Sequence, residues 1–139
     1  MKAEVKWTEN SQYLAHADSG HTIVLDGPPA LGGRNLGVRP MEMILMGLGG
    51  CISINVLEIL KKSRQSVDHC VAHLQAERSD DVPKVFTAIH VNFVVTGNDL
   101  KPSAVEQAVR LSMEKYCSGA LMLRGSVDLT HSFEIHETE

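Results

Sequence analysis

Two cysteines carry the chemistry that this sequence can perform most directly. Cys51 follows two glycines inside a long apolar stretch, and Cys117 lies between two segments with helical patterns. A thiolate is a nucleophile, and two neighbouring thiols can be oxidised together to a disulfide. Their separation along the chain does not show whether they meet in space, so two interpretations stay open: a redox pair, or two small buried apolar residues.

The residues next to each cysteine are compatible with both interpretations. Gly49 and Gly50 each cost a helix interior about 1 kcal/mol relative to Ala, which close backbone packing or clearance for a substrate beside the Cys51 sulfur would explain. A short helix that begins near Ser118 would direct its free N–H groups towards the Cys117 sulfur. We therefore expect surroundings at Cys117 that favour its thiolate.

The third cysteine and its histidine neighbours indicate no further site. In a strand, Cys70 shares a small and mostly apolar face with Ala72 and Leu74, which is typical of a core residue. His69 and His73 would lie about 13 Å apart in a strand, whereas a zinc ion needs its ligands at about 2.1 Å. We therefore predict no metal site.

Composition places the chain among ordinary globular proteins. Its 139 residues are 43% hydrophobic and 22% charged, which predicts one domain over residues 1–139. The net charge of -4 argues against nucleic acid as a partner. The N-terminus lacks the apolar segment of a signal peptide, so a cytoplasmic location, where cysteines are mostly reduced, is expected. Glu42, Asn55 and Glu58 interrupt the long apolar stretch, so we expect no membrane span.

The elements that must position the cysteines follow in the order βββ-α-ββ-α-α-β. Because strands are grouped and helices are inserted between the groups, we predict an α+β fold with an antiparallel sheet. Alternating and helical patterns indicate strands over 3–8, 12–16, 21–25, 67–78 and 84–96, a loop over 26–40, a helix over 41–62, further helices from 103 onward and a final strand.

Two details of the helices are also predicted. The 41–62 helix is apolar nearly all round, so it should be buried. In the next helix, Ser103 and Glu106 have the spacing of a capping box, and one face is shared by Val105, Ala108, Val109, Ser112, Met113 and Tyr116.

The element order and both cysteine motifs together resemble the OsmC/Ohr family of thiol-dependent hydroperoxide reductases. The matching segments are Pro40-Met41-Glu42-Met43 leading to Gly49-Gly50-Cys51, and Glu114-Lys115-Tyr116-Cys117-Ser118. Within the family, the chain is most similar to the YhfA-like branch, at Val5-Lys6-Trp7, Ser19-Gly20-His21 and Val95-Thr96-Gly97.

The resemblance implies a fold, a reaction and partners. The fold is an intertwined homodimer in which sheets wrap around long central helices. Cys51 matches the cysteine that attacks an organic hydroperoxide or meets another small apolar ligand, and Cys117 matches the resolving cysteine that closes a disulfide. An external dithiol, a lipoyl group in many members, then reduces that disulfide. No metal or bound cofactor is implied.

Three departures from the family pattern concern the activation of Cys51. Family peroxidases use an arginine of the first strand hairpin, but residues 1–33 contain none; Arg34 and Arg39 are either substitutes or solvated loop charges. The acid expected directly after Pro40 is replaced by Met41, with Glu42 one position later. Ser118 stands where a proline often follows the resolving cysteine.

Three functions therefore remain open at this level. The first is an enzyme that reduces organic hydroperoxides through Cys51 and Cys117. The second is a protein of the same fold that senses redox state or binds small molecules, with little turnover because the hairpin arginine is absent. The third is a structural dimer whose cysteines are merely packed.

Overall fold

The computed structural model describes all 139 residues, Met1–Glu139. It has the predicted element order, with a 3₁₀ turn at Pro29–Leu31 and a π-helical turn (the π turn) at Ser112–Tyr116 in addition. The elements are β1 (Ala3–Glu9), β2 (Gln12–Ala17), β3 (Thr22–Asp26), α1 (Pro40–Lys62), β4 (Ser66–Arg78), β5 (Phe86–Asn98), α2 (Pro102–Leu111), α3 (Ser118–Leu123) and β6 (Asp128–Glu137). The chain divides into two compact units, Met1–Met46 and Gly47–Glu139.

The first unit contains the predicted three-stranded meander. Its strands pair antiparallel in the order β1-β2-β3, with Val5 opposite Ala15 and Ala15 opposite Ile23. Asn10 occupies the turn between β1 and β2 with a φ of 49°, a conformation that Asn tolerates better than most residues. The alternation seen in the sequence therefore reflects a real sheet.

A buried carboxylate organises the loop after this sheet. Asp26 is only 2% exposed, and its Oδ2 accepts hydrogen bonds from the backbone N–H groups of Arg34 (3.0 Å) and Leu36 (3.1 Å). These N–H groups of Leu36 and Arg34 lower the pKa of Asp26. The breaker-rich segment after β3 is thus tied to the end of that strand.

The second unit has a three-stranded sheet in the order β4-β5-β6. β4 and β5 form an antiparallel hairpin, as predicted, but β6 pairs parallel to β5. The antiparallel prediction is therefore wrong for β6. Parallel neighbours need a long crossover, which α2, the π turn and α3 supply between β5 and β6. A helical insertion after a hairpin is compatible with either direction, so sequence pattern alone does not decide it.

The core of the second unit is centred on β5 and on one stripe of α1. Ile89, Val91, Phe93 and Val95 alternate along β5 and are essentially inaccessible. The buried residues of α1 recur at four-residue intervals or next to such a position, which defines a single stripe: Leu48, Gly49, Ile52, Val56 and Leu60.

The expected all-round burial of α1 is wrong for the single chain. Ile54 is 67% exposed, because the strands and helices of one chain cover only one side of this helix. By length and composition alone α1 could cross a membrane, and 28% of its most apolar 18-residue window is buried. The absence of a membrane span stays a prediction that rests on the interrupting polar residues.

The predicted capping box of α2 is also wrong. The helix begins at Pro102, so Lys101 is the N-cap and makes no side-chain cap, while Ser103 lies inside the first turn. Proline suits the first helical position because its fixed φ is helical and its missing N–H would be unpaired there. This preference of Pro102 decides where α2 begins.

Candidate redox site

The side chains of Cys51 and Cys117 meet inside the second unit. Cys51 is half-buried on α1, and Cys117 is fully buried as the N-cap of α3. Their sulfur atoms lie 3.0 Å apart, with the Cys117 thiol donating to the Cys51 sulfur, and both cysteines are free. The two thiols therefore lie within reach of a direct disulfide after a contraction of about 1 Å to the ordinary S–S length.

The surroundings shift the pKa values of the two thiols in opposite directions. The hydrogen bond from the Cys117 thiol lowers the pKa of Cys51, and hydrogen bonds from the backbone N–H groups of Gly119 and Ser118 lower it further. Burial raises the pKa of Cys117, and its hydrogen bond to Cys51 adds to that rise. The site thus favours a Cys51 thiolate beside a protonated Cys117 thiol.

The expected thiolate at Cys117 is therefore wrong, although α3 does begin at Ser118. The N–H of Ala120 reaches the Cys117 sulfur at 3.4 Å, but complete burial outweighs this contact and raises the pKa of that thiol. The N–H groups of Ser118 and Gly119 lower the pKa of the less buried Cys51, and the N–H of Gly119 also acts on Cys117 without offsetting its burial. Only the packing of α3 against α1 shows which sulfur these N–H groups affect.

The glycines near the pair differ in what a side chain would meet. A Cβ on Gly49 would lie 2.7 Å from Cδ1 of Leu74, so the missing side chain lets α1 approach β4. A Cβ on Gly119 would meet only ordinary contacts, at 3.4 Å from Cδ1 of Leu48 and 3.8 Å from the Cys117 sulfur. Close packing of the α1 backbone against the Leu74 side chain is thus the explanation that fits Gly49. Gly50, by contrast, faces open space.

The π turn changes which residues point inwards before Cys117. Five of the six residues predicted to share one face are buried or nearly so, but Tyr116 is 51% exposed while Cys117 is inaccessible. The N–H of Cys117 bonds to the carbonyl of Ser112, five residues earlier, at 2.9 Å. Because a π turn holds one more residue than an α turn, it rotates the following residues around the helix axis. Helical periodicity alone does not indicate this extra residue.

The three candidate supporting side chains all lie in the first unit. The Arg34 guanidinium forms an ion pair with Glu9 at 3.4 Å. The guanidinium of Arg39 donates to the Asn35 side chain and to the Gly37 carbonyl, while its backbone N–H donates to Glu42 at 2.8 Å. The groups that lower the pKa of Cys51 are a thiol and two backbone N–H groups rather than these side chains.

Cys70 lies on a different element from the pair. It is half-buried on β4, opposite Val95, and burial raises its pKa. His69 and His73 are exposed on the same strand, and no group of three or more His, Cys, Asp or Glu residues is arranged to hold a metal ion. One cleft, of about 540 Å³, is lined by Met113, Glu114, Arg124, Val127, Asp128, Leu129 and His131, and neither cysteine of the pair lines it.

Comparison with known proteins identifies the family. The family model described as OsmC-like protein matches residues 32–132. The chain belongs to the OsmC-like family. Protein YhfA of Escherichia coli strain K12 is 48% identical over 135 residues, which are 97% of this chain and 98% of that protein. The resemblance to the OsmC/Ohr family and to its YhfA-like branch is thereby confirmed.

Solved structures of OsmC-like and related proteins agree with the fold. A hypothetical protein from Aquifex aeolicus VF5 is 31% identical, with a TM-score of 0.87 over 99% of this chain and 97% of that one. The organic hydroperoxide resistance protein OhrB of Bacillus subtilis is 20% identical, with a TM-score of 0.63 over 96% and 98%. The predicted α+β, OsmC-like fold is confirmed.

Proposed function

We propose that this chain is a cysteine-based peroxidase that reduces organic hydroperoxides, with Cys51 as the attacking thiolate and Cys117 as the resolving thiol. One observation carries the proposal: the two sulfurs lie 3.0 Å apart, with a lowered pKa at Cys51 and a raised pKa at Cys117. A peroxidase of this type needs one sulfur that is nucleophilic and accessible and a second that waits as a thiol.

The first step oxidises Cys51. Its thiolate attacks the terminal oxygen of the hydroperoxide, an S–O bond forms, and the O–O bond breaks. The alkoxide leaves and takes up a proton to become the alcohol, while Cys51 becomes a sulfenic acid. Hydrogen bonds from Ser118 and Gly119 stabilise the anionic sulfur before attack. They supply part of what the family arginine supplies in other peroxidases.

The second step closes the disulfide. The Cys117 sulfur attacks the Cys51 sulfenic sulfur, an S–S bond forms, and the hydroxyl leaves with the Cys117 proton as water. Because the two sulfurs are already adjacent, this step loses little translational or rotational freedom. The raised pKa of Cys117 keeps its proton available until the leaving hydroxyl needs it.

An external dithiol completes the cycle, and we expect a lipoyl group or a similar dithiol in this role. Cys117 is inaccessible whereas Cys51 is half-buried, so the incoming thiolate reaches the Cys51 sulfur and releases Cys117. The second thiol of the reductant then displaces Cys51, which leaves two protein thiols and an oxidised reductant. The cycle requires no metal or bound cofactor.

A second copy of this chain is the proposed macromolecular partner. The second unit exposes large apolar side chains on α1, the π turn and α3: Ile54 (67%), Tyr116 (51%), Leu121 (45%) and Met122 (80%). The intertwined homodimer expected of the family would cover apolar surface of this kind. A cytoplasmic location, with neither nucleic acid nor a membrane as partner, belongs to the same proposal.

A redox-sensing or small-molecule-binding protein with little turnover is the alternative. It is favoured by one observation, namely that the first hairpin contains no arginine and that Arg34 is paired with Glu9. Such a protein would form the same disulfide, but its reaction with hydroperoxide would be slow. Rate, rather than the disulfide itself, therefore separates the two functions.

The test uses reduced full-length protein and one equivalent of tert-butyl hydroperoxide. We expect mass spectrometry to show a Cys51–Cys117 disulfide, and steady-state assays with dihydrolipoamide to show turnover that Cys51→Ser abolishes. Cys70→Ser is the matched control and should keep full activity. Free thiols after stoichiometric peroxide would contradict the peroxidase, and a disulfide that forms without appreciable turnover would support the sensing alternative.

A further inference from the structure

Ser112 contacts the backbone beside both cysteines of the pair. Its side chain is fully buried, and its hydroxyl donates a hydrogen bond of 3.0 Å to the carbonyl oxygen of Ile52, the residue after Cys51. Its own carbonyl accepts the N–H of Cys117 at 2.9 Å. One residue therefore links the helix that carries Cys51 to the segment that carries Cys117, across 60 positions of sequence.

The stability of its own helix does not explain why a hydroxyl-bearing residue occupies position 112. Apolar residues surround it on the buried face, where Ala108, Val109 and Met113 lie within one turn of it. A buried hydroxyl must find an acceptor to offset its loss of water, and an apolar residue would avoid that cost. The acceptor that offsets this cost is the carbonyl of Ile52, the residue next to Cys51.

The π turn that begins at Ser112 directs Cys117 inwards. Two of its carbonyls receive donors from outside the turn, since the Arg124 guanidinium bonds to Met113 (3.0 Å) and Glu114 (3.1 Å). Ser112 thus fixes the inner side of the turn to α1, and Arg124 occupies acceptors on its outer side. A wide turn inside a helix is frequent at functional sites, because it re-aims the side chains that follow it.

We propose that Ser112 is a positioning residue for the Cys51–Cys117 dithiol, and that its hydroxyl holds the π turn on α1 at the separation from which the disulfide closes. This inference rests on the proposed function, because it concerns the same dithiol. In the reaction, two thiols lose two protons and two electrons to an oxidant, the hydroperoxide of the proposed cycle. Ser112 exchanges neither protons nor electrons with the sulfurs.

The equilibrium between the protein dithiol and the glutathione redox couple measures how well the two sulfurs are positioned. We expect Ser112→Ala to disfavour the protein disulfide by about fivefold, as loss of one buried hydrogen bond implies. Ser112→Thr keeps the hydroxyl and should lie between Ser112→Ala and the native protein. Quantitative alkylation and mass spectrometry at a series of glutathione ratios give the constants.

Val109→Ala is the matched control. Val109 is fully buried on α2, one turn before Ser112, and its side chain has no polar contact with either cysteine. It should lower Tm at least as much as Ser112→Ala, yet change the thiol–disulfide equilibrium by less than about twofold, since a cavity in the apolar core leaves the Ser112–Ile52 hydrogen bond in place. Equal shifts in both variants would overturn the proposal, because the effect would then be general destabilisation.

Further results distinguish failure of the positioning role of Ser112 from failure of the proposed function. If Ser112→Ala does not fold, Ser112→Val is compared with Ser112→Thr, which has the same shape and keeps the hydroxyl, and equal constants in these two variants would overturn the proposal. If the native protein forms no Cys51–Cys117 disulfide at any glutathione ratio, the proposed function fails and this inference fails with it. If the native protein forms the disulfide and Ser112→Ala matches it, only the positioning role fails.

Discussion

Two acidic groups, one in each compact unit, have anionic forms that backbone N–H groups stabilise. In the first unit the Asp26 carboxylate accepts N–H groups from Leu36 and Arg34, and in the second unit the Cys51 sulfur accepts them from Gly119 and Ser118. In both cases these bonds lower the pKa of the acidic group. Backbone dipoles thus do what a positively charged side chain does at many anionic sites.

The two anions differ in what else touches them. Asp26 is 2% exposed, and its strongest contacts come from the loop that it ties together. Cys51 is half-buried, and its strongest contact is a thiol that can itself be oxidised. The same electrostatic arrangement therefore ties a loop together where the anion is enclosed, and lies beside a second thiol where the sulfur is accessible, as the proposed reaction requires.

The largest expected effect comes from removing the thiol that Cys51 depends on. Cys117→Ala should raise the pKa of Cys51 towards the ordinary thiol value of about 8.5 and slow its alkylation at pH 7 by up to about tenfold. The rate of iodoacetamide labelling as a function of pH measures this. Cys117→Ser keeps a hydroxyl donor and should shift the profile less; identical profiles for both variants would show that donation from residue 117 is not the cause.

A smaller effect is expected from the enclosed anion. Asp26→Asn should lower Tm at neutral pH, because a neutral amide is a weaker acceptor for the N–H groups of Arg34 and Leu36. The folded pKa of Asp26 is depressed, so its contribution is complete above the unfolded value of about 3.9 and is lost as pH falls through the folded pKa.

Thermal unfolding from pH 7 down to pH 2 checks this sign. The difference in Tm between the native protein and Asp26→Asn should be largest at neutral pH and should shrink on acidification. A Tm difference that stays constant from pH 7 to pH 2 would mean that the charge of Asp26 does not contribute to stability. Backbone N–H groups would then not stabilise the Asp26 carboxylate in the way proposed for the Cys51 thiolate.

The smallest effect is expected from the arginine side chain. Arg34→Gln removes the exposed ion pair with Glu9 but keeps the backbone N–H that Asp26 accepts, so it should change the free energy of unfolding by less than about 1 kcal/mol. The pH profile of Cys51 labelling should not change. A shifted pH profile would show that the Arg34 guanidinium affects the pKa of Cys51. The Cys51 thiolate would then depend on a cationic side chain, unlike the Asp26 carboxylate.

Several features of the fold follow from short-range patterns, and the sequence is sufficient for them. Alternation predicts β1 to β3, the apolar run after Pro40 predicts α1, and breakers at Asp80 to Pro83 predict the turn between β4 and β5. The two cysteine motifs predict the family, whose model matches residues 32–132. The strands, the helix and the turn depend on residues within a few positions of one another.

Other features depend on contacts between distant segments. The direction of β6, the one-sided burial of α1 and the exposure of Tyr116 follow from how the elements pack, and each differs from its local prediction. The clearest case is the thiolate. The sequence determined that a helix begins at Ser118 beside Cys117, but only the tertiary structure decided that its first N–H groups also lower the pKa of Cys51, because α1 brings the Cys51 sulfur within reach while burial raises the pKa of the nearer sulfur.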